Sequence, residues 1–307
     1  MKSNIAKAST LLPKYRRHFN RRLISFLMIL GILAALPSSG LCANVRIHCA
    51  EDSAKVNALL KAAAAHGGAF GERCAFVARE MAGTKSGPAA DNDTVGTLMV
   101  DMHSVDRLGF INTVMAIAQA STRKIPRFEE FVNYLERYSR RKGVDEGFTS
   151  QFFYGSDWIV DNVYRGNLKE MTEYLTGGGF KTKTLDYVSH HPELYPALKD
   201  SLTMERIKMM EMGFRSHRLP HLKKQSISNK ELHELLENGD IIMMLSNEID
   251  RDIHDIGFVE MRDGVPYLIH ISDEKGEVVV DPYPASRLFK LENQRFYGYR
   301  WLRPYDQ

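Results

Sequence analysis

The feature that most constrains this chain is a change of hydrophobic period near Gly239. Downstream of it lie five short apolar runs: "GDIIMMLS", "HDIGFVEM", "PYLIHIS", "GEVVVDPY" and "FYGYRWL". Turns such as "RDG" and "DEKG" separate some of them, and the runs read as β-strands. Upstream, from Ser53 to about Asn162, the period is mainly helical. "SAKVNALLKAAAAHGG" starts with a serine cap and ends at glycines. "FEEFVNYLERYSRRKG" sets Phe128, Phe131, Val132, Leu135 and Tyr138 on one face, followed by a basic last turn and Gly143. "DTVGTLMVDM" is more strand-like, and a region of helices and Pro/His loops joins the two halves. Helices first and strands after predict an α+β fold rather than alternating βαβ units.

The first 43 residues stand apart. No acidic residue precedes Glu51, and residues 1–22 carry seven Lys and Arg. Leu23 to Leu36 is a fourteen-residue apolar run, too short to span a bilayer comfortably. The small residues of "PSSGLCA" follow it. Residues 1–43 are therefore expected to be an export signal, and 44–307 a single domain in the periplasm or cell envelope with no membrane span after cleavage. The whole chain has 41 basic and 38 acidic residues. Without the leader, 34 basic residues face 38 acidic ones, a net charge of −4. A mildly acidic surface argues against nucleic acid as a partner.

The exported part keeps Cys49 and Cys74, which in an oxidising compartment read as a disulfide or as buried thiols. "HRLPH" gives His217 and His221 the spacing of a helical zinc pair, but Pro220 lies between them and no Glu follows the first His. No metal site and no cofactor are expected. "SHHPELYP" reads as a surface loop.

In "VDRLGFINTVMAIA", Asp106 is a good N-cap residue and Arg107 falls in the first turn of the helix it opens. A cation there is disfavoured by about 0.3–1 kcal/mol. A cysteine at that place would be stabilised as thiolate.

Taken in order, "GTLMVDMHSVDRLGFINTVMAIA", "GFTSQFFYGSDWIVDN", "GDIIMMLSNEIDRDIHDIGFVEMRDGVPYLIHIS" and "RWLRP" resemble the NlpC-type, papain-like cell-wall peptidases. More narrowly, they resemble the exported N-acetylmuramoyl-L-alanine amidase-like branch, over about residues 70–304. In that branch a helix starts with Asp-Cys. Gly-Asp-Ile-Ile comes later, then an Asp, a His and a Gly close together, then Leu-x-His-x-Ser. Gly239 to Ile242, Asp252, His254, Gly257, His270 and Ser272 fall in family order. Gly257 stands three residues after His254, where the family usually spaces the two by two.

The resemblance implies a helical N-terminal half packed on a C-terminal antiparallel sheet or small barrel. It also implies a thiolate nucleophile, a histidine base on a strand and an orienting polar residue on the next. His254 matches the base and His270 the orienting position, but Arg107 stands at the nucleophile. A guanidinium has no accessible lone pair and cannot replace a thiolate. Gly109 and Asn112 replace the family Thr and Glu, and Gln151 and Phe153 replace an Arg and a His. The implied substrate-binding set is Arg107, Asp106, Tyr154, Asp157, Trp158, Asp252 and Ser272.

The resulting expectation is a catalytically inactive protein that binds peptidoglycan stem peptides. One alternative is an active N-acetylmuramoyl-L-alanine amidase or γ-D-glutamyl endopeptidase that uses another nucleophile or Cys74, which opens the helix-like "CAFVAREMAG". The other is an interaction module of the envelope. Each group also has a plain structural reading: strand histidines, a surface arginine and core aromatics.

Overall fold

The computed structural model describes residues 45–87, 97–175 and 177–306. The expected signal segment lies outside them, as does part of the strand-like "DTVGTLMVDM". Strand β1 (Val45–Ile47) leads into helices α1 (Ala50–His66) and α2 (Phe70–Glu80). Three short strands follow: β2 (Lys85–Ser86), β3 (Leu98–Val100) and β4 (Ser104–Val105). Helices α3 (Arg107–Ala120), α4 (Phe128–Ser139) and α5 (Gly155–Tyr164) complete the helical half. After β5 (Leu168–Glu170) come β6 (Gly179–Lys183), α6 (Tyr187–His190), α7 (Ser201–Met212), β7 (His217–Lys223) and α8 (Lys230–Leu235). The last part is β8 (Ile241–Ser246), β9 (Ile253–Arg262), β10 (Val265–Ser272), β11 (Glu277–Val280), α9 (Ala285–Leu291) and β12 (Phe296–Pro304).

The architecture is α+β. One large sheet runs β4-β2-β11-β10-β9-β8-β12-β7-β6, with β5 paired to β12. Its pairings are antiparallel except β2 with β4. The five runs after Gly239 form its centre. β8 is buried along its whole length, which explains why "IIMML" shows no alternation: a strand covered on both faces needs apolar side chains on both. Ile241, Met243 and Leu245 pack against the helices together with Phe258 and Ile269. Ile242 and Met244 pack on the other side with Val259, Leu268, Phe296 and Trp301. Helix α3 is buried on every side from Phe110 onward, so its sequence is apolar all round.

Two features of the motif pieces have physical causes. Gly239 adopts φ 82°, and a Cβ there would lie 1.9 Å from the Gly71 carbonyl oxygen. Only glycine permits that conformation and that approach of α2 to the turn before β8. Asp240 is buried and accepts the Trp301 indole N–H at 2.8 Å and the Arg303 Nε–H at 2.8 Å. "GDII" and "RWLRP" thus hold adjacent strands together.

Helix α1 begins three residues before the expected serine cap. Asp52, in its first turn, accepts the Cys49 backbone N–H at 2.8 Å, so Cys49 is the N-cap residue. "HRLPH" lies on strand β7, not on a helix. At about 3.3 Å per residue, His217 and His221 are then about 13 Å apart, too far to share an ion. Among the described residues, no helix is long and apolar enough to cross a membrane.

Candidate functional site

Asp106 caps α3 by accepting the Gly109 N–H at 2.7 Å, which places Arg107 at the first helical position. Its guanidinium does not point idly at solvent. Nε donates to Asp255 Oδ1 at 3.2 Å, and Nη2 donates to Asp273. The two carboxylates offset the unfavourable placement of a cation at a helix N-terminus.

Asp255 is the hub. Its Oδ2 lies 2.6 Å from His270 Nδ1, and His270 Nε2 lies 3.2 Å from Asp281 Oδ2. Asp255, His270 and Asp281 are all buried. His270 sits opposite Gly257 on the neighbouring strand. A Cβ at position 257 would lie 2.8 Å from the His270 Cβ and 2.7 Å from the Ile269 carbonyl oxygen, so glycine is what lets the histidine approach.

The electrostatics follow from these contacts. Burial works against a charge on His270, but Asp255 and then Asp281 outweigh it and push the imidazole up to about 10. Burial likewise opposes the Asp255 charge, and His270 and Arg107 more than compensate, holding the carboxyl below its usual range. With both ring nitrogens facing carboxylates, His270 is an imidazolium at neutral pH. It has no lone pair with which to take a proton.

His254 departs from its expected place. The β8–β9 register shifts so that Met244 pairs with Asp255 and Leu245 with Ile253, which leaves His254 as the extra residue of a β-bulge. Its Nε2 lies 3.3 Å from Glu292, and its ring stacks on Phe296 with centroids 6.2 Å apart. Asp255, not His254, faces both Arg107 and His270. The signal was present: counting two residues back from Gly257 gives Asp255. His254, Asp255, His270 and Asp281 nevertheless share one cavity of about 480 Å³, whose wall also includes Ser272 and Asp273.

Four expected binding residues serve structural roles nearby. The Tyr154 hydroxyl donates to Glu211 at 2.7 Å within a small separate core. Asp157 accepts both terminal nitrogens of Arg141 at 2.5 Å. Trp158 is fully buried, and its indole N–H reaches Asn112 Oδ1 at 2.9 Å and the Tyr138 carbonyl at 3.1 Å. Asp252 is buried and accepts the Ser156 N–H at 2.5 Å, capping α5. Ser272 ends β10, where its Oγ accepts the Lys275 N–H at 3.3 Å. Asp273 and Asp281 were not singled out by sequence reasoning, because each follows a strand end with no motif of its own.

Cys49 and Cys74 are free thiols. Cys74 lies inside α2, fully buried in the main core, and burial pushes its thiol far up. Such burial is the setting of a structural thiol rather than of an accessible thiolate. Alkylation of the native protein with peptide mapping is expected to modify Cys49 and to leave Cys74 untouched until denaturant is added. Rapid modification of Cys74 in the native state would contradict this burial.

Residues 81–292 match the AmiA-like family, described as N-acetylmuramoyl-L-alanine amidase-like. No curated protein matches the chain. Among solved structures, an N-acetylmuramoyl-L-alanine amidase from Bacteroides uniformis is similar with a TM-score of 0.69 and 24% identity, over 77% of this chain and 99% of the amidase. A Bacteroides fragilis protein provisionally called a xylanase gives 0.65 and 27%, over 72% and 96%. A Legionella pneumophila protein gives 0.60 and 17%, over 82% and 94%.

Proposed function

Since the chain belongs to the AmiA-like, N-acetylmuramoyl-L-alanine amidase-like family, we propose that it is an exported, non-hydrolytic member that binds peptidoglycan stem peptides in the cavity beside Arg107. The observation that carries this reading is the bonded series Arg107–Asp255–His270–Asp281. Amide hydrolysis on a papain-like NlpC scaffold needs a thiolate, a neutral base and a group that orients the base. Here the nucleophile position is a guanidinium. The position two residues before Gly257 is a carboxylate already shared by two cations. The remaining histidine is protonated and bonded on both sides. None of these groups can attack a carbonyl or receive a proton from an attacking water at neutral pH.

Binding is a different matter. Arg107 is anchored from within by Asp255, whereas Asp273 at the rim is half exposed (52%) and shared with Arg295 Nη1 at 3.4 Å. A peptide carboxylate can displace Asp273 and take the outer edge of the guanidinium. Export by the basic leader would deliver the 44–307 domain to where such peptides are.

Co-sedimentation with insoluble peptidoglycan tests this. The wild type is expected to sediment. Arg107→Ala should weaken binding by about 1.5–3 kcal/mol, the scale of a charged hydrogen-bonded contact. Asp273→Asn should tighten it, because the competing internal carboxylate is gone. A wild type that stays in the supernatant, or a retention that neither substitution moves, would sink the proposal.

A further inference from the structure

Just before β4, four residues upstream of Arg107, His103 meets two further side chains of metal-ligating type from a separate stretch of chain. Cys49 is the N-cap residue of α1, and Asp52 lies in its first turn. His103 comes from the turn between β3 and β4. Cys49 Sγ is 3.3 Å from His103 Nε2 and 3.3 Å from Asp52 Oδ2, and His103 Nε2 is 3.7 Å from Asp52 Oδ1. We propose that Cys49, Asp52 and His103 form a binding site for a zinc-class divalent transition metal, which ties the start of α1 to the turn that leads into α3.

The spacing is that of ligands around one ion. Bonds of about 2.3 Å to sulfur and about 2.0–2.2 Å to nitrogen and oxygen put tetrahedral ligand atoms about 3.3–3.6 Å apart. The two sulfur distances fall in that range, His103 reaches the other oxygen of the Asp52 carboxylate at 3.7 Å, and one ligand atom from each residue lies within 4.8 Å of the others, so a small side-chain adjustment brings all three around one ion.

The backbone fixes both sides of it. The Met102 N–H donates to Asp52 Oδ1 at 2.8 Å. Asp101 Oδ1 accepts the N–H groups of His103 at 2.8 Å and Ser104 at 3.1 Å, which shapes the turn. The His48 N–H donates to the Val100 carbonyl at 3.0 Å, continuing the β1–β3 pairing. The donor set selects the metal class: sulfur with imidazole and one carboxylate suits zinc or cobalt, whereas calcium and magnesium require mostly oxygen.

The site is open on one side. Asp52 is fully buried, but the His103 side chain is 58% exposed. Solvent can supply a fourth ligand, or His48 can, since its ring centroid lies 6.4 Å from that of His103. The proposal is independent of the peptidoglycan-binding reading, because none of its three ligands touches the Arg107–His270 series.

The test is a Co2+ titration of the full-length protein followed by absorption. One equivalent is expected to give a sulfur-to-cobalt charge-transfer band in the near ultraviolet and the intense visible bands of four-coordinate cobalt. Zn2+ should abolish both. Cys49→Ser should remove the charge-transfer band, and His103→Ala should weaken Co2+ by about 100-fold or more, beyond the loss usual for an outer-shell partner. Circular dichroism checks that both variants fold. Absence of a charge-transfer band in the wild type at one equivalent would overturn the proposal, as would an undiminished band in folded Cys49→Ser.

Discussion

Asp255→Ala is expected to destabilise the protein by about 3–5 kcal/mol, the scale measured when one partner of a buried ion pair is removed. The substitution leaves the buried His270 imidazolium with one carboxylate instead of two, and takes from Arg107 the anchor on its inner edge. Whole-domain stabilities are usually about 5–15 kcal/mol, so such a loss is a large fraction of the total. Urea unfolding should show a lower midpoint at unchanged slope. Asp273→Ala is the contrasting variant. It removes the other carboxylate of the same arginine, but Asp273 is half exposed, and the cost should stay below about 1 kcal/mol. Equal losses for the two variants would show that Asp255 is not the buried hub of the network.

The same network sets a pH dependence. An unfolded histidine titrates near 6.5, whereas His270 in the fold is pushed up to about 10. The folded state therefore holds a proton that the unfolded chain has released between these values. His270's contribution is fully present below about pH 6.5 and is lost as pH rises through about 10. Its full width is on the order of 3–5 kcal/mol. Asp255 acts at the other end: its carboxyl lies below the usual range, so its contribution is lost as pH falls through that depressed value. Urea stability measured from pH 6 to 10 should fall steadily in the wild type and much less in His270→Gln. Parallel curves for the two proteins would mean that His270 is not held as an imidazolium.

How much of this was legible in the sequence depended on whether a local signal existed. The five C-terminal strands were readable, because burial on both faces demands apolar runs and the turns carry Asp, Gly and Lys. The β6–β7 hairpin was not, since "HRLPH" mixes proline with polar residues that suit a loop as well as a strand facing solvent. The Asp106 cap and the odd placement of Arg107 were visible from helix-end chemistry alone. The partners of Arg107 were not, because Asp255 and Asp273 are brought to it from about 150 residues away by sheet packing. His254 was the natural choice over Asp255 by residue type. The bulge at that point turns Asp255 rather than His254 toward Arg107 and His270, and a bulge has no strong sequence mark; the spacing to Gly257 was the one clue. Tyr154, Asp157 and Trp158 sit where the resemblance puts binding residues, but each is consumed by a buried structural partner. Cys49 went unremarked as a candidate ligand because His103 is 54 positions away and meets it only through the β1–β3 pairing.

The central claim is that the family's hydrolytic groups have been replaced by a fixed ion network, and digestion of purified peptidoglycan tests it most directly. The full-length protein is incubated with sacculi at neutral pH and the soluble products are identified by mass spectrometry. The account predicts no release of stem peptides or peptide fragments above that of a protein-free control. Release of such fragments by the wild type, abolished by Cys49→Ser, would contradict it and move the chemistry to the partly exposed thiol beside His103.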